Sequence, residues 1–381
     1  MERKALIVTC FNQVYPIFRC DLEGTKILGI KEIIDEERLP FLMQDGHTDL
    51  KTVNAWLGSR LMPETRDGIA AVRKLCRFEN HHNMFSLSDQ YWFQYTGREK
   101  WEKLNFFTNS YQSETGKLFF APWTADRKRI KKEGPDITTG GILRKRWVQE
   151  ETDKGFSSYL IKAGSRAGGQ SPISEVLASM MMEKIGAVPF VKYSLICESL
   201  KICSICENFI TRDTEYVPCS HIYFKKKREG KESILRHIVD MAERYGIERK
   251  ESMEFLDGMI AVDSVTHNKD RHLNNFGFIR DVHTGKLISY APIFDNGSAY
   301  MPIKDSASQM FREREEKALK WLAGKADGSI DVTDMITLTK AYPTITEREK
   351  EYIIKGIEEG KERLISYREN GRKVERCPDE K

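Results

Sequence analysis

The stretch Val262-Asp-Ser-Val-Thr-His-Asn-Lys-Asp-Arg-His-Leu-Asn-Asn-Phe-Gly-Phe-Ile-Arg280, continued by Ala291-Pro-Ile-Phe-Asp-Asn-Gly297, decides how the rest of the chain is read. Asp270 is followed closely by His272 and Asn275, and a second acid, Asp295, returns after a hairpin-like insert, Asp281-Val-His-Thr-Gly-Lys286. The short step from Asp270 to Asn275 suits a tight loop with both polar side chains turned into one cleft, while Phe276 and Phe278 alternate inward on a following strand. A solvated turn accounts equally well for Asn268, Lys269, Asp270 and Arg271, which are residue types that favour turns. It does not account for Pro292-Ile-Phe-Asp295 bringing a second acid back on an apolar strand. Transfer of a phosphoryl group requires a base carboxylate, an amide oxygen and a metal-binding carboxylate to converge on a nucleotide and its Mg²⁺. Asp270, Asn275 and Asp295 supply those groups, and Asp270, His272 and Asn275 make up the candidate catalytic loop.

Upstream, Ile137-Thr-Thr-Gly-Gly-Ile-Leu-Arg-Lys-Arg-Trp147 precedes Ser158-Tyr-Leu-Ile-Lys162, where a lysine closes an apolar strand. A glycine pair between two strands lets backbone amides approach phosphates with no Cβ in the way, and a lysine on the adjoining strand reaches the α and β phosphates. Thr139, Gly140, Gly141, Lys145 and Lys162 are therefore expected on the nucleotide side of the site. Gln170-Ser-Pro-Ile-Ser-Glu175 then opens an amphipathic helix, with Glu175 in its first turn and placed to pair with Lys162. The plain alternative makes Glu175 a first-turn acid that complements the helix dipole. The order Lys162, Glu175, Asp270, Asn275, Asp295 is the order a kinase requires. A hairpin, Val188–Cys197 with Ser199–Cys206, leads to Glu207-Asn208-Phe209, where a hinge would bind adenine through its backbone.

His267-Asn-Lys-Asp-Arg-His-Leu-Asn-Asn-Phe276 with Ala291-Pro-Ile-Phe-Asp295 resembles the Asp-x-His-x-x-Asn-Phe and Pro-x-x-Asp signatures of the HipA-type serine/threonine kinases, a bacterial and phage family. It resembles less fully the Asp-Arg-His-x-x-Asn loop of phosphatidylinositol 3- and 4-kinases. The HipA-type resemblance implies Asp270 as base, Asn275 and Asp295 as metal ligands, ATP and Mg²⁺ as cofactors, and a protein substrate. It also implies a toxin-type kinase with a helix-turn-helix antitoxin or repressor as partner. Glu207-Asn208-Phe209 resembles the Glu-Arg-Phe hinge of that type, with Asn208 departing from it. In its glycine loop the family carries a phosphorylatable serine and a glutamine; here Thr138 or Thr139 stands for the serine, and the glutamine is missing. The recognisable motifs cover about residues 137–300, and Asp89-Gln-Tyr-Trp92 extends the likeness forward without a mechanistic meaning.

Composition sets the frame. The chain has 381 residues, 40% hydrophobic and 31% charged, as in a globular protein of one large or two modest domains. With 61 basic against 57 acidic residues, the net charge of +4 gives no reason to expect direct nucleic acid binding. No apolar run approaches the ~20 residues that span a bilayer, and the N-terminal residues lack the apolar segment of a signal peptide. A cytoplasmic location without membrane attachment is expected. Eight cysteines spread along the chain read as reduced thiols. Cys203, Cys206, Cys219 and His221 match no familiar zinc spacing, and the cysteines are read as buried thiols.

The expected architecture is α+β: a two-lobed, protein-kinase-like fold behind an N-terminal accessory α+β module. The module takes residues 1–109, a β-rich nucleotide-binding lobe 110–209, and a helical catalytic lobe 210–381. Residues 5–43 show the short apolar runs of a small sheet, and residues 49–57 and 68–76 helical spacing. The aromatics of 85–93 and 101–107 read as core. Residues 121–136, basic and broken by Pro and Gly, read as a linker or exposed loop. Two other readings compete with a protein kinase: a lipid or small-molecule kinase, and a catalytically idle nucleotide-binding partner of a DNA-binding repressor.

Overall fold

The computed structural model describes residues 5–75, 83–111, 113–122, 134–153, 155–165, 171–301, 307–326 and 330–375. Most of the basic stretch read as a linker, residues 123–133, lies outside them, as does Gln170. The chain starts with strands β1 (Leu6–Asn12), β2 (Tyr15–Glu23) and β3 (Lys26–Ile33), whose apolar residues alternate inward. Helix α1 (Leu50–Arg60) begins at Asp49, whose carboxylate accepts the amides of Lys51 and Thr52. It buries Val53, Trp56 and Leu57 against Val8, Cys10, Ile17 and Phe18 of the sheet. Helix α2 (Ile69–Leu75) follows, and β4 (Tyr91–Gln94) then completes an antiparallel sheet of order β3-β2-β1-β4.

Two short helices, α3 (Trp101–Leu104) and α4 (Glu114–Phe120), and a 3-10 turn over Pro135–Thr138 lead to the second sheet. Its strands are β5 (Lys145–Thr152), β6 (Gly155–Ala163), β7 (Tyr193–Glu198) and β8 (Lys201–Glu207), in the antiparallel order β5-β6-β8-β7. Between β6 and β7 runs α5 (Pro172–Ile185), with proline at its first position and Gly186 in the left-handed conformation at its end. Apolar clusters cross residue 109: Val72 packs with Phe119, Phe120, Ile161 and Cys203, and Phe85, Trp92, Trp101 and Phe106 pack with Trp147. The aromatic stretches are core, as their composition implied.

The remaining chain is mostly helical. Strand β9 (Thr214–Pro218) is followed by α6 (Cys219–Tyr223), α7 (Ile234–Arg244) and α8 (Arg249–Val265), and α8 runs into the loop that carries Asp270. That loop ends in β10 (Gly277–Asp281), which lies between β9 and β11 (Leu287–Tyr290) in a three-stranded antiparallel sheet. Helices α9 (Glu315–Lys325), α10 (Thr333–Ala341) and α11 (Glu347–Glu375) close the fold. Thr346 and Glu349 form a reciprocal capping box at the start of α11. The largest core joins α5, α7, α8 and α9 with Phe276 and Phe278, so both aromatics behind the loop are buried. Gly277 is required where it stands, because a Cβ there would meet the Val217 carbonyl at 2.2 Å. Cys203, Cys206 and Cys219 are buried in three separate apolar clusters, which is the role read from their sequence. Among the described residues no helix is long and apolar enough to cross a membrane.

The first sheet is tied to the third by a buried charge network. Arg280 donates to Glu215 at 2.7 Å, to the Tyr91 hydroxyl at 3.1 Å and to the Leu39 carbonyl at 3.2 Å. Gln90 donates to the Thr211 and Thr214 carbonyls, Asp89 pairs with Arg60, and Trp92 Nε1 donates to the Gln13 carbonyl. Within Asp89-Gln-Tyr-Trp92, Gln90 and Tyr91 thus tie the first sheet to the third, while Asp89 and Trp92 bond within the N-terminal segment.

Candidate active site

Lys162 is the centre of the site. It lies on β6 with its Nζ 2.5 Å from Glu175 Oε1 and 2.5 Å from Asp295 Oδ1. Glu175 reaches it because Pro172 starts α5 just beyond β6, and its other oxygen accepts the Asn296 amide at 2.7 Å. The two carboxylates share one ammonium and diverge. Burial pushes Glu175 above the usual carboxylate range, whereas Lys162, Lys145 and Arg271 hold Asp295 well below it despite its burial. Asp295 keeps 32% of its side-chain surface, so water shares in holding its charge. It sits at φ 59°, a conformation a non-glycine residue adopts at a cost, and from there its side chain meets Lys162.

The loop before β10 is built around Arg271, 1% exposed. Its guanidinium takes both oxygens of Asp263, the carbonyls of Asn275 and Phe294, and Asn296 Oδ1. One side chain thereby fixes the end of α8, the loop and the Asp295 segment together. Asn268 Oδ1 accepts the Asp270 amide at 3.3 Å, and Asn275 Nδ2 donates to the Asp270 carbonyl at 2.8 Å. The Asn275 amide nitrogen is spent on the loop, and its oxygen takes no hydrogen bond from the described residues. Asn275 Oδ1 and Asp295 Oδ2 are hard oxygen donors of the number Mg²⁺ takes from a protein when phosphates supply the rest. The His272 carbonyl accepts the Asn275 backbone amide at 2.8 Å, and its ring accepts the Asn274 amide on Nδ1.

The glycine pair requires a correction. Gly140 and Gly141 do not lie between two strands: a 3-10 turn precedes them, and the hairpin turn joining β5 to β6 falls after Thr152. The reason is tertiary, because residues 62–67 and not a neighbouring strand take up the carbonyls of this segment. Asp67 N donates to Ile142 O at 2.8 Å, and Arg66 donates to the carbonyls of Thr139, Gly140 and Gly141. Thr138 is buried, with its hydroxyl on the Phe85 and Pro135 carbonyls, and Thr139 donates to Pro135 and accepts from Trp147 Nε1. Lys145 stands directly across from Lys162 in the β5–β6 ladder. Burial first, and then its neighbours Lys162 and Arg66, push its amine down to about 7. A Cβ on Gly141 would stand 2.5 Å from Lys145 Nζ, so the loop and this amine share one space.

At the end of β8 the Asn208 amide already donates to Ser158 O at 2.8 Å, and Asn208 Nδ2 donates to Leu87 O. Glu207 is exposed on the strand. Phe209 packs against Phe294 and Tyr216 with ring centroids 5.6 and 6.1 Å apart, beside the cluster of Val176, Val191, Tyr193 and Cys206. The apolar wall is therefore contiguous with the Lys162 pair.

Arg66, Asp136 and the role of Arg271 were missed in the sequence. Arg271 carried a signal, being a cation inside the loop motif. Arg66 carried none. Asp136, 1% exposed, anchors the base of the glycine loop by accepting Gly116 N at 3.0 Å and Trp147 N at 2.9 Å. Burial outweighs these bonds and pushes its carboxyl up to about 6. A raised carboxyl stabilises the fold below its unfolded pKa, and that contribution is lost as pH rises through the folded value. Between about pH 4 and 6 the stability of the wild type relative to Asp136→Asn should fall by about 2 kcal/mol. Urea unfolding of both proteins across that range checks it, and parallel pH profiles would refute it.

A family model described as HipA-like C-terminal domain matches residues 137–352, which includes every catalytic and metal-binding candidate above. A curated relative, the serine/threonine-protein kinase CtkA of Helicobacter pylori, is 30% identical over 109 residues, or 28% of this chain; the match spans 33% of that protein's length. The crystal structure of a Helicobacter pylori proinflammatory kinase CtkA is similar with a TM-score of 0.45 at 20% identity, covering 60% of this chain and 97% of that one. A chain of the Shewanella oneidensis MR-1 toxin–antitoxin complex of HipA, HipB and operator DNA is similar with a TM-score of 0.53 at 12% identity, covering 95% and 97%. That last likeness shows a shared mixed α+β fold.

Proposed function

The chain belongs to the HipA-like C-terminal domain family, and from that premise we propose that it is an ATP- and Mg²⁺-dependent protein serine/threonine kinase. The observation that carries the reading is the buried Lys162–Glu175 pair extended to Asp295 at 2.5 Å, joined to the braced Asp270–Asn275 loop by Arg271, which bonds the Asn275 and Phe294 carbonyls. In this reading the β5–β8 sheet with α5 is the nucleotide lobe, the helices from α6 onward are the catalytic lobe, and the adenine lies along the Phe209–Phe294 wall. Lys162 and Lys145 neutralise phosphate oxygens, and the amides of Gly140 and Gly141 meet the phosphate chain. Asn275 Oδ1 and Asp295 would hold Mg²⁺, which supplies charge neutralisation of the triphosphate. Asp270 accepts the proton of a serine or threonine hydroxyl as its oxygen bonds to the γ-phosphorus. The bond from that phosphorus to the β–γ bridging oxygen breaks, and ADP leaves.

The resemblance to repressor-paired kinases adds a helix-turn-helix protein to the proposal as partner, in line with the HipB of the Shewanella complex. Phosphorylation of the glycine loop also belongs to it, with Thr139 favoured over Thr138 because it is the less buried hydroxyl. The test is transfer of labelled γ-phosphate by the purified chain with Mg²⁺, offered protein extract and phosphoinositide vesicles in separate reactions. Label in protein is expected. Label confined to lipid would overturn the protein-kinase reading, and ATP binding without transfer to either would leave an idle nucleotide-binding module.

A further inference from the structure

Residues 62–67, in the stretch between α1 and α2, hold the glycine loop by its carbonyl oxygens. Met62 N donates to Ile137 O at 2.9 Å and Asp67 N to Ile142 O at 2.8 Å. Between them the Arg66 guanidinium donates to Thr139 O, to Gly140 O at 2.9 Å, to Gly141 O at 3.1 Å and, at 3.5 Å, to Asp136 O. Arg66 is 1% exposed and lies 5.6 Å from the Phe119 ring centroid. Burial lowers its pKa to about 10, so it stays charged at neutral pH. A buried guanidinium usually faces a carboxylate, because removing its charge from water is costly. Here it spends its donors on consecutive main-chain carbonyls of one loop.

The consequence follows from peptide geometry. None of the described peptide bonds is cis, and across a trans peptide the N–H points opposite to the C=O. Fixing the carbonyls of Thr139, Gly140 and Gly141 toward Arg66 therefore turns the amides of Gly140, Gly141 and Ile142 away from it. Successive amides directed to one side form an anion-binding concavity, and Gly141, at φ 89°, supplies the turn such a concavity needs.

We propose that Arg66 is a positioning residue of the nucleotide site, which latches the glycine loop by its carbonyls and so presents the amides of residues 140–142 to the phosphate chain of a nucleoside triphosphate. The inference rests on the kinase reading above. It makes the α1–α2 stretch part of the nucleotide site and not an appendage to it. Arg66 touches no phosphate itself; its effect passes through the loop.

The test separates phosphate from base recognition in the full-length chain. Mg²⁺–ATP and adenosine are titrated calorimetrically into the wild type, Arg66→Ala, Arg66→Lys and, as a stability control, Arg60→Lys. Arg60 is a comparable buried arginine that serves only the first sheet, bonded to Asp89 and to the Met84 and Tyr91 carbonyls. Both Arg66 variants should lose about tenfold or more in ATP affinity, since several charge-assisted bonds to the loop are gone. Adenosine binding should stay within about twofold. The Michaelis constant for ATP should rise more than kcat falls, and millimolar guanidinium should restore ATP affinity to Arg66→Ala. Arg60→Lys should lower the melting temperature without separating the two ligands. The latch is wrong if the Arg66 variants bind ATP as the wild type does, or lose ATP and adenosine in equal proportion. Should Arg66→Ala fail to fold, Arg66→Lys decides alone, because one ammonium cannot span the three carbonyls. A wild type that binds no ATP would refute the kinase reading itself, an outcome distinct from an unaffected variant.

Discussion

Asp270→Ala should lower γ-phosphoryl transfer at least about 10²-fold, the lower end of what loss of a general base costs, while leaving the fold and ATP binding in place. The selectivity follows from how the loop is built. It is held through the Asp270 backbone, whose amide meets Asn268 Oδ1 and whose carbonyl meets Asn275 Nδ2, and through Arg271, which reaches Asp263, Asn275, Phe294 and Asn296. Those contacts are made by the Asp270 backbone and by other side chains, so they survive removal of its carboxylate. The substitution should therefore act on kcat and spare the ATP dissociation constant, a pattern that removal of a transition-state interaction produces. Single-turnover transfer together with ATP titration of both proteins measures the two quantities. Unchanged transfer would defeat the assignment of Asp270 as base, and loss of ATP binding would move it to the nucleotide side of the site.

Lys162→Met should be the most damaging change to stability and should abolish transfer as well. Lys162 and Glu175 retain 6% and 3% of their side-chain surface, so removing the ammonium leaves an uncompensated carboxylate inside the protein. Breaking a buried ion pair from one side costs about 3–5 kcal/mol. The loss should depend on pH in a defined direction. In the wild type, Asp295 is held below the usual range chiefly against its own burial by Lys162, and such a group stabilises above its unfolded pKa and loses that contribution as pH falls. Without Lys162, burial and mutual repulsion remain, so the Glu175–Asp295 pair shifts upward and favours binding a proton. The deficit of the variant should then be smallest near pH 4.5 and largest near pH 7.5, and Glu175→Gln added to Lys162→Met should recover part of it at pH 7.5. Chemical denaturation at both pH values tests this, and equal deficits at the two would show that packing, not charge, explains the loss.

The parts of the site that could be read from sequence are those whose geometry is local. The Asp270–Asn275 loop, the return of Asp295, the strand ending at Lys162 and the helix opening at Pro172 are each written within about a dozen residues, by apolar spacing and turn chemistry. Their order along the chain was enough to suggest one cleft. The HipA-type resemblance rested on the same residues, and the family match covers the same region. The N-terminal sheet and α1 were legible for the same reason.

The conformation of the glycine loop was not legible, and among the described residues a 3-10 turn, Pro135–Thr138, stands where a strand was expected. Its carbonyls are claimed by Arg66 from 73 to 75 positions away, and the apolar clusters that bring the two segments together join Val72 to Phe119 and Ile161. No period or turn signal marks an arginine for such a contact, because the contact exists only after distant surfaces have been buried together. The same holds for Arg280 with Glu215 and Tyr91, and for Asp136 between Gly116 and Trp147. Sequence determined which chemical groups this protein carries and the local shape that presents each one. Tertiary structure alone decided which backbone and charged groups lost water, and so which partners they had to find.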